Sequence, residues 1–217
     1  LSVGLSIAMI VGPVIGYIDQ YFLIKRKQSS DGFNIMTCAI LLFANVLRIF
    51  FWFGKRFEVT LLLQSIAMII TMVILLQVVV KYKHERRSTL DLFYNETGLF
   101  KSFWKWEYYS SYIKCITVFI LVMAFLHLFL ERYAVYVEIL GYLSLGIEST
   151  LPLPQCISNF KNRSTHGFSS LVLATWFLGD SFKLFYFIFT EAPLQFIICG
   201  SIQLFIDSLI VLEFILF

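Results

Sequence analysis

Five ionisable side chains lie deep inside long apolar stretches of this chain: Arg48, Glu148, Asp180, Lys183 and Asp207. A charge at the middle of a membrane helix costs at least ~2.5–3.5 kcal/mol on insertion scales, so such groups should face one another or water. Asp180 and Lys183 are three residues apart and share a helix face, and Asn45 and Arg48 repeat that spacing earlier in the chain. The chemistry available to this set is electrostatic. Arg48 and Lys183 would attract a phosphate, while Glu148, Asp180 or Asp207 would meet an amine or choline nitrogen. Together the six residues would form a polar track along which a zwitterionic headgroup could slide with its tails left in lipid. The competing reading of the same residues is a closed ion-pair network that fixes helix registry. Glu138 and Glu213 stand near the ends of apolar stretches and read as interfacial.

A second group of residues bears on backbone geometry. Pro152 and Pro154 fall late in one apolar stretch, just before Gln155. Proline removes a helical hydrogen bond and clashes one turn back, so a bend is expected there, either a static kink or a hinge. The freed carbonyls need partners or a wet cavity, and Gln155 and Gln20 can supply partners. Pro13 lies in the first stretch, upstream of Asp19 and Gln20. No nucleophile–base pair, glycine-rich phosphate loop or nucleotide site is evident, so no catalytic residue and no cofactor are expected. His127 stands apart from other ligand types and the cysteines (Cys38, Cys115, Cys156, Cys199) are widely spaced in apolar surroundings, so no metal site is expected either.

These residues must be positioned by membrane helices. Hydrophobic residues make up 59% of the 217 and charged ones only 14%, with mean hydropathy +0.82. A soluble domain carries about 25% charged residues, so a cytosolic enzyme or a nucleic-acid module is excluded. Seven apolar segments are long enough to cross a bilayer: about 1–24, 33–53, 59–80, 111–130, 134–158, 168–189 and 194–217. Eleven Lys and Arg residues fall on one side, among them Lys81, Lys83, Arg86 and Arg87, against Lys55, Arg56 and Arg132 on the other. The positive-inside rule then makes the first side cytosolic, with the N-terminus lumenal and the C-terminus cytosolic. The segment from Leu99 to Tyr112, rich in aromatics and lysine, reads as an interfacial lead-in to the fourth span.

The chain also repeats itself at an offset of 135 residues: Gln20 falls on Gln155, Ser29 on Ser164, Gly32 on Gly167, Asn45 on Asp180 and Arg48 on Lys183. Residues 1–80 and 134–217 are therefore two three-helix units, and 81–133 holds a basic loop, the aromatic segment and a linker helix. The linker restores the direction of the second unit, so the repeats are parallel in an all-α 3+1+3 bundle.

Pro154-Gln155 followed by a polar loop and Ser164-Thr165-His166-Gly167-Phe168 resembles the signature of the PQ-loop repeat family. The first copy has Asp19-Gln20 and then Ser29-Ser30-Asp31-Gly32-Phe33, so aspartate replaces its proline. Ala44-Asn45-Val46-Leu47-Arg48, Phe51-Trp52-Phe53-Gly54, Trp104-x-Trp106, Gly179-Asp180-x-Phe182-Lys183 and Ala192-Pro193-Leu194-Gln195-Phe196 are similar to one subgroup, that of PQ-loop repeat-containing protein 1 and its fungal relatives. The resemblance implies an integral protein of Golgi and endosomal membranes that opposes lipid flippases and scrambles phospholipids without an energy source. Its partners would be phospholipids and the bilayer, with no nucleic acid, and either a monomer or a homodimer fits. Two other functions stay open: a proton-coupled or facilitative carrier of a small solute, with Asp180 or Asp207 as the proton site, and a membrane trafficking adaptor that uses its basic loop.

Overall fold

The computed structural model describes residues 3–30, 33–90, 104, 106–163 and 170–216. Asp31 and Gly32, the loop from Ser164 to Phe168, most of the basic loop after Leu90, and the side chains of Arg86, Arg87 and Gln155 lie outside the described residues. Among those described there are eight helices and no strand: α1 (Val3–Lys27), α2 (Ile35–Lys55), α3 (Val59–Leu90), α4 (Tyr109–Leu130), α5 (Ala134–Ser149), α6 (Leu153–Asn162), α7 (Ser170–Phe189) and α8 (Leu194–Leu216). α1, α2, the Val59–Lys83 part of α3, α4 and α8 are each long and apolar enough to cross a membrane.

Two expected boundaries move. The third span was placed at 59–80, yet α3 runs on to Leu90, so Lys81 and Lys83 ride on its last turns instead of a loop. The fifth span was expected as one bent helix over 134–158, and it is two helices. Pro152 has no N–H for the carbonyl of Glu148 one turn back. Leu151 N–H donates to that carbonyl instead (3.1 Å), α5 stops, and α6 restarts with Pro152 as its N-cap and Pro154 in its first turn. α1 stays helical through Pro13.

The two units fold alike. In the first, α1 packs on α3 and α3 on α2. In the second, α5 and α6 pack on α8 and α8 on α7. The linker α4 has no counterpart; it lies against α2 and, more lightly, against α3. Trp104 is fully buried there, edge-on to Phe43 and Tyr112 at 5.4 and 5.1 Å. Tyr112 donates its hydroxyl to the carbonyl of Trp106 (2.8 Å), so this end of the aromatic segment packs against the first unit.

The units meet along two seams that repeat symmetry would make equal. α2 lies along the whole of α5, whereas α1 touches α7 sparsely. Glycine explains the first. A Cβ on Gly54 would stand 2.7 Å from the methyls of Val137, and one on Gly141 would stand 2.8 Å from the ring of Phe51. Small residues at such crossings let membrane helices approach closely. Phe51 is itself wholly buried against Phe57 and Phe196, leaving its ring nowhere to go. Gly141→Val should therefore lower stability by about 1–3 kcal/mol through overpacking, while Gly12→Val, which meets open space, should be neutral; thermal unfolding of the detergent-solubilised protein separates the two.

Candidate functional site

The break after α5 has an electrostatic consequence. It leaves Glu148 in the last turn of that helix, where the backbone dipole already presents partial negative charge. Two cations answer it, one from each unit. The Arg48 guanidinium of α2 pairs with Glu148 Oε2, and Lys183 Nζ of α7 stands 3.8 Å from Oε1. These cations are repeat equivalents, and both converge on one carboxylate. Arg48 is 3% exposed, so the pair joins the two units inside the bundle. Lys183 also holds Asp180 Oδ1 at 3.0 Å, and Gln203 Nε2 of α8 donates to Asp180 Oδ2 at 2.8 Å.

Arg48, Glu148, Asp180 and Lys183 line one cavity with Gln64 of α3, Gln203 and the ring of Phe196. It encloses about 20 Å³, room for about one water molecule. The Phe196 ring lies 5.7 Å from the Arg48 guanidinium carbon. Arg48 Nε and Gln64 Oε1 are buried without hydrogen-bond partners among the described residues, which leaves polar capacity at the cavity wall. Asp207, one turn beyond Gln203, is fully buried near Asp180 and Lys183, and its oxygens have no hydrogen-bond partner among the described residues. Asn45 is buried but turned away, donating from Nδ2 to the carbonyl of Leu41 in its own helix (2.8 Å).

One end of the bundle is tied shut. Lys55 of α2 pairs with Glu138 of α5 at 2.6 Å, and Gln195 of α8 donates to the same carboxylate. Tyr186 of α7 donates to Glu58, ahead of α3, at 2.8 Å. Glu138 thus bonds across helices. Glu213, expected at an interface, is buried under α6 with the Cys156 thiol 3.5 Å away.

Residues 1–61 and 136–196 each match the PQ loop repeat family, and the two matches start 135 residues apart. The chain belongs to the PQ-loop repeat family. It is similar to Scramblase ANY1 of Saccharomyces cerevisiae, with 24% identity over 265 aligned residues. That alignment covers 90% of this chain and 65% of the relative, so the chain spans less than two thirds of the relative's length. With its apolar helices, this makes the chain an integral membrane protein, and neither the family nor the relative is an enzyme.

Within the PQ-loop frame the two copies of the motif differ. Pro154 opens α6, whereas Asp19 and Gln20 sit in the unbroken α1, with Asp19 exposed and Gln20 half-buried. Sequence reasoning overlooked Gln64, Gln203 and Tyr17. Tyr17 of α1 lies within electrostatic reach of Glu148 and Asp180. The two glutamines carried a signal, being uncharged polar residues inside the apolar third helix of each unit, Gln64 in its second turn and Gln203 at its middle. Tyr17 carried none, because tyrosine is common near membrane boundaries.

Removing one partner of a buried ion pair strands the other charge, at a cost of about 3–5 kcal/mol. Arg48→Met should therefore destabilise strongly, and Arg48→Met with Glu148→Gln should recover most of the loss, since Lys183 keeps Asp180. Thermal unfolding in detergent reads these and Glu148→Gln alone, and a double-variant loss equal to the sum of the two single losses would mean that the pair carries no coupling.

Proposed function

We propose that this PQ-loop protein is an energy-independent phospholipid scramblase whose headgroup path runs through the Arg48–Glu148–Lys183–Asp180 cluster. The observation that carries the reading is the pairing of this cluster with the two unequal seams. The groups that match a zwitterion lie between the units, and the sparse α1–α7 contact is the side on which those units can part. Tyr17 of α1 is nearest that side. In the present arrangement the cavity of about 20 Å³ admits no headgroup, so passage requires α1 and α7 to separate while the glycine-packed α2–α5 seam holds.

The similarity to a fungal protein named a scramblase supports the lipid substrate. The lysine and arginine asymmetry supports seven spans with a lumenal N-terminus and a cytosolic C-terminus, which makes the tied end lumenal. The subgroup resemblance supports Golgi and endosomal membranes and a role opposed to flippases. An enclosed cavity between repeats is also what a small-solute carrier would have, and the Asp180–Asp207 neighbourhood would serve as its proton site.

Purified protein in liposomes containing fluorescent phospholipid should let dithionite bleach well beyond the outer-leaflet half. Asp180→Ala, and Arg48→Met paired with Glu148→Gln to keep the fold, should return bleaching to about that half with insertion unchanged. Bleaching held at one half in every sample, with solute-driven proton uptake in its place, would transfer the reading to the carrier.

A further inference from the structure

A second concave site lies apart from the charge cluster. It is a groove of about 310 Å³ between the last turns of α2 and α4, lined by Phe50, Phe53, Arg56, His127, Leu128 and Glu131. Its rim carries one charge of each sign. Arg56 caps α2 in the left-handed conformation (φ 46°) and spreads its guanidinium over Trp52 at 4.4 Å and Phe53 at 5.5 Å. It forms no ion pair among the described residues. Glu131 is more than half exposed, and its Oε2 stands 3.7 Å from His127 Nε2, within ion-pairing range and beyond a hydrogen bond.

The floor is polar and unsatisfied. His127 is only 7% exposed, boxed by the rings of Phe50, Phe53 and Tyr136 at 5.6, 6.2 and 5.8 Å. Neither ring nitrogen has a hydrogen-bond partner among the described residues, and the buried hydroxyl of Tyr136 beside it has none either. Buried polar groups are satisfied in the great majority of cases, by protein, water or ligand. An Arg56 cation without an ion pair, a Glu131 carboxylate held only at long range by His127, and a buried imidazole with no hydrogen bond among the described residues form a matched set around one groove for a ligand that bears both phosphate and amine. The outer face of α4 continues from the groove as exposed Leu128, Phe125 and Phe129, a surface suited to acyl chains.

We propose that this groove seats the headgroup of one zwitterionic phospholipid, with its phosphate between Arg56 and His127 and its amine on Glu131. The site occurs once per chain. α4 has no repeat equivalent, and the 135-residue offset places Glu191 where the first unit has Arg56. The inference rests on the groove alone and stands whether or not the charge cluster moves lipid.

The test is thermal unfolding of the delipidated full chain in detergent, titrated separately with dioctanoyl phosphatidylcholine, dioctanoyl phosphatidylglycerol and inorganic phosphate. Phosphatidylcholine should raise Tm saturably, and Arg56→Gln should weaken its apparent Kd about ten-fold, roughly the worth of one charge-assisted contact (~1.4 kcal/mol). Glu131→Gln should weaken phosphatidylcholine to the same degree and leave phosphatidylglycerol unchanged. His127→Phe should fold and lose the response, and Asp180→Ala should keep it. Equal titrations in wild type, Glu131→Gln and His127→Phe would overturn the proposal, as would inorganic phosphate reproducing the lipid's effect.

Discussion

A carboxylate at the carboxyl end of a helix, inside a membrane, is a position that must be neutralised. Glu148 occupies it because Pro152 withholds the N–H that would continue the helix, and the end of α5 adds its own partial negative charge. Arg48 comes to it from the first unit and Lys183 from the second. Much of the interior follows from that requirement. α2 must lie close enough to α5 for Arg48 to reach, and Gly54 and Gly141 permit it. Lys183 must stay near Glu148, and Asp180, itself fixed by Gln203, holds it on the other side. The break and the pair are thus one device: the proline that interrupts the backbone also creates the charge site that joins the units.

The repeat supplies symmetry of packing, and the side chains depart from it. Both units use the order first helix, third helix, second helix. The cations are equivalent, Arg48 against Lys183, but the acidic groups are not. Asp180 has Asn45 as its counterpart, Glu148 has Pro13, and Asp207 has Met72. All three carboxyl groups of the cluster therefore belong to the second unit, while the first contributes a cation and an uncharged amide that bonds back to its own helix. The seams diverge in parallel, since the pair and the two glycines all serve α2 and α5. Along α1 and α7 the position equivalent to Phe51 is Tyr186, whose hydroxyl is spent on Glu58. One seam is knitted by close packing and charge, while the other touches sparsely.

The architecture was legible in the sequence because its signals are large. Twenty-residue apolar runs and a gapless 135-residue repeat survive any local irregularity, and four of the mid-span charges mark the helices that meet at the ion-pair cluster. Three things were less legible. Proline marks that a helix is disturbed, but whether it bends or stops depends on whether the carbonyl left by Pro152 finds another donor, here Leu151 N–H, and that is decided in three dimensions. The position of Glu213 near the end of an apolar stretch gives no sign of its burial, which comes from α6 folding over it after the break. Asn45 and Asp180 matched by spacing and diverged by bonding, because an amide can satisfy itself on the carbonyl of Leu41 and a carboxylate has no donor with which to do so.

A buried ion-pair network and a conduction path are often treated as alternatives, and on the proposed function the composition of this one lets them coincide. The cost of opening such a network is the desolvation of each group it leaves unpaired. Water entering a narrow gap would repay little of that, and an uncharged solute even less. A phosphate-and-amine headgroup is different, because it presents an anion to Arg48 and Lys183 and a cation to Glu148 and Asp180 at the moment their mutual contacts lengthen. The ion pairs are then exchanged and not broken, so the closed and open arrangements differ little in charge satisfaction. On the proposed function, the features that make the cluster a good clasp between the units also make it selective for a zwitterion as the agent that releases it.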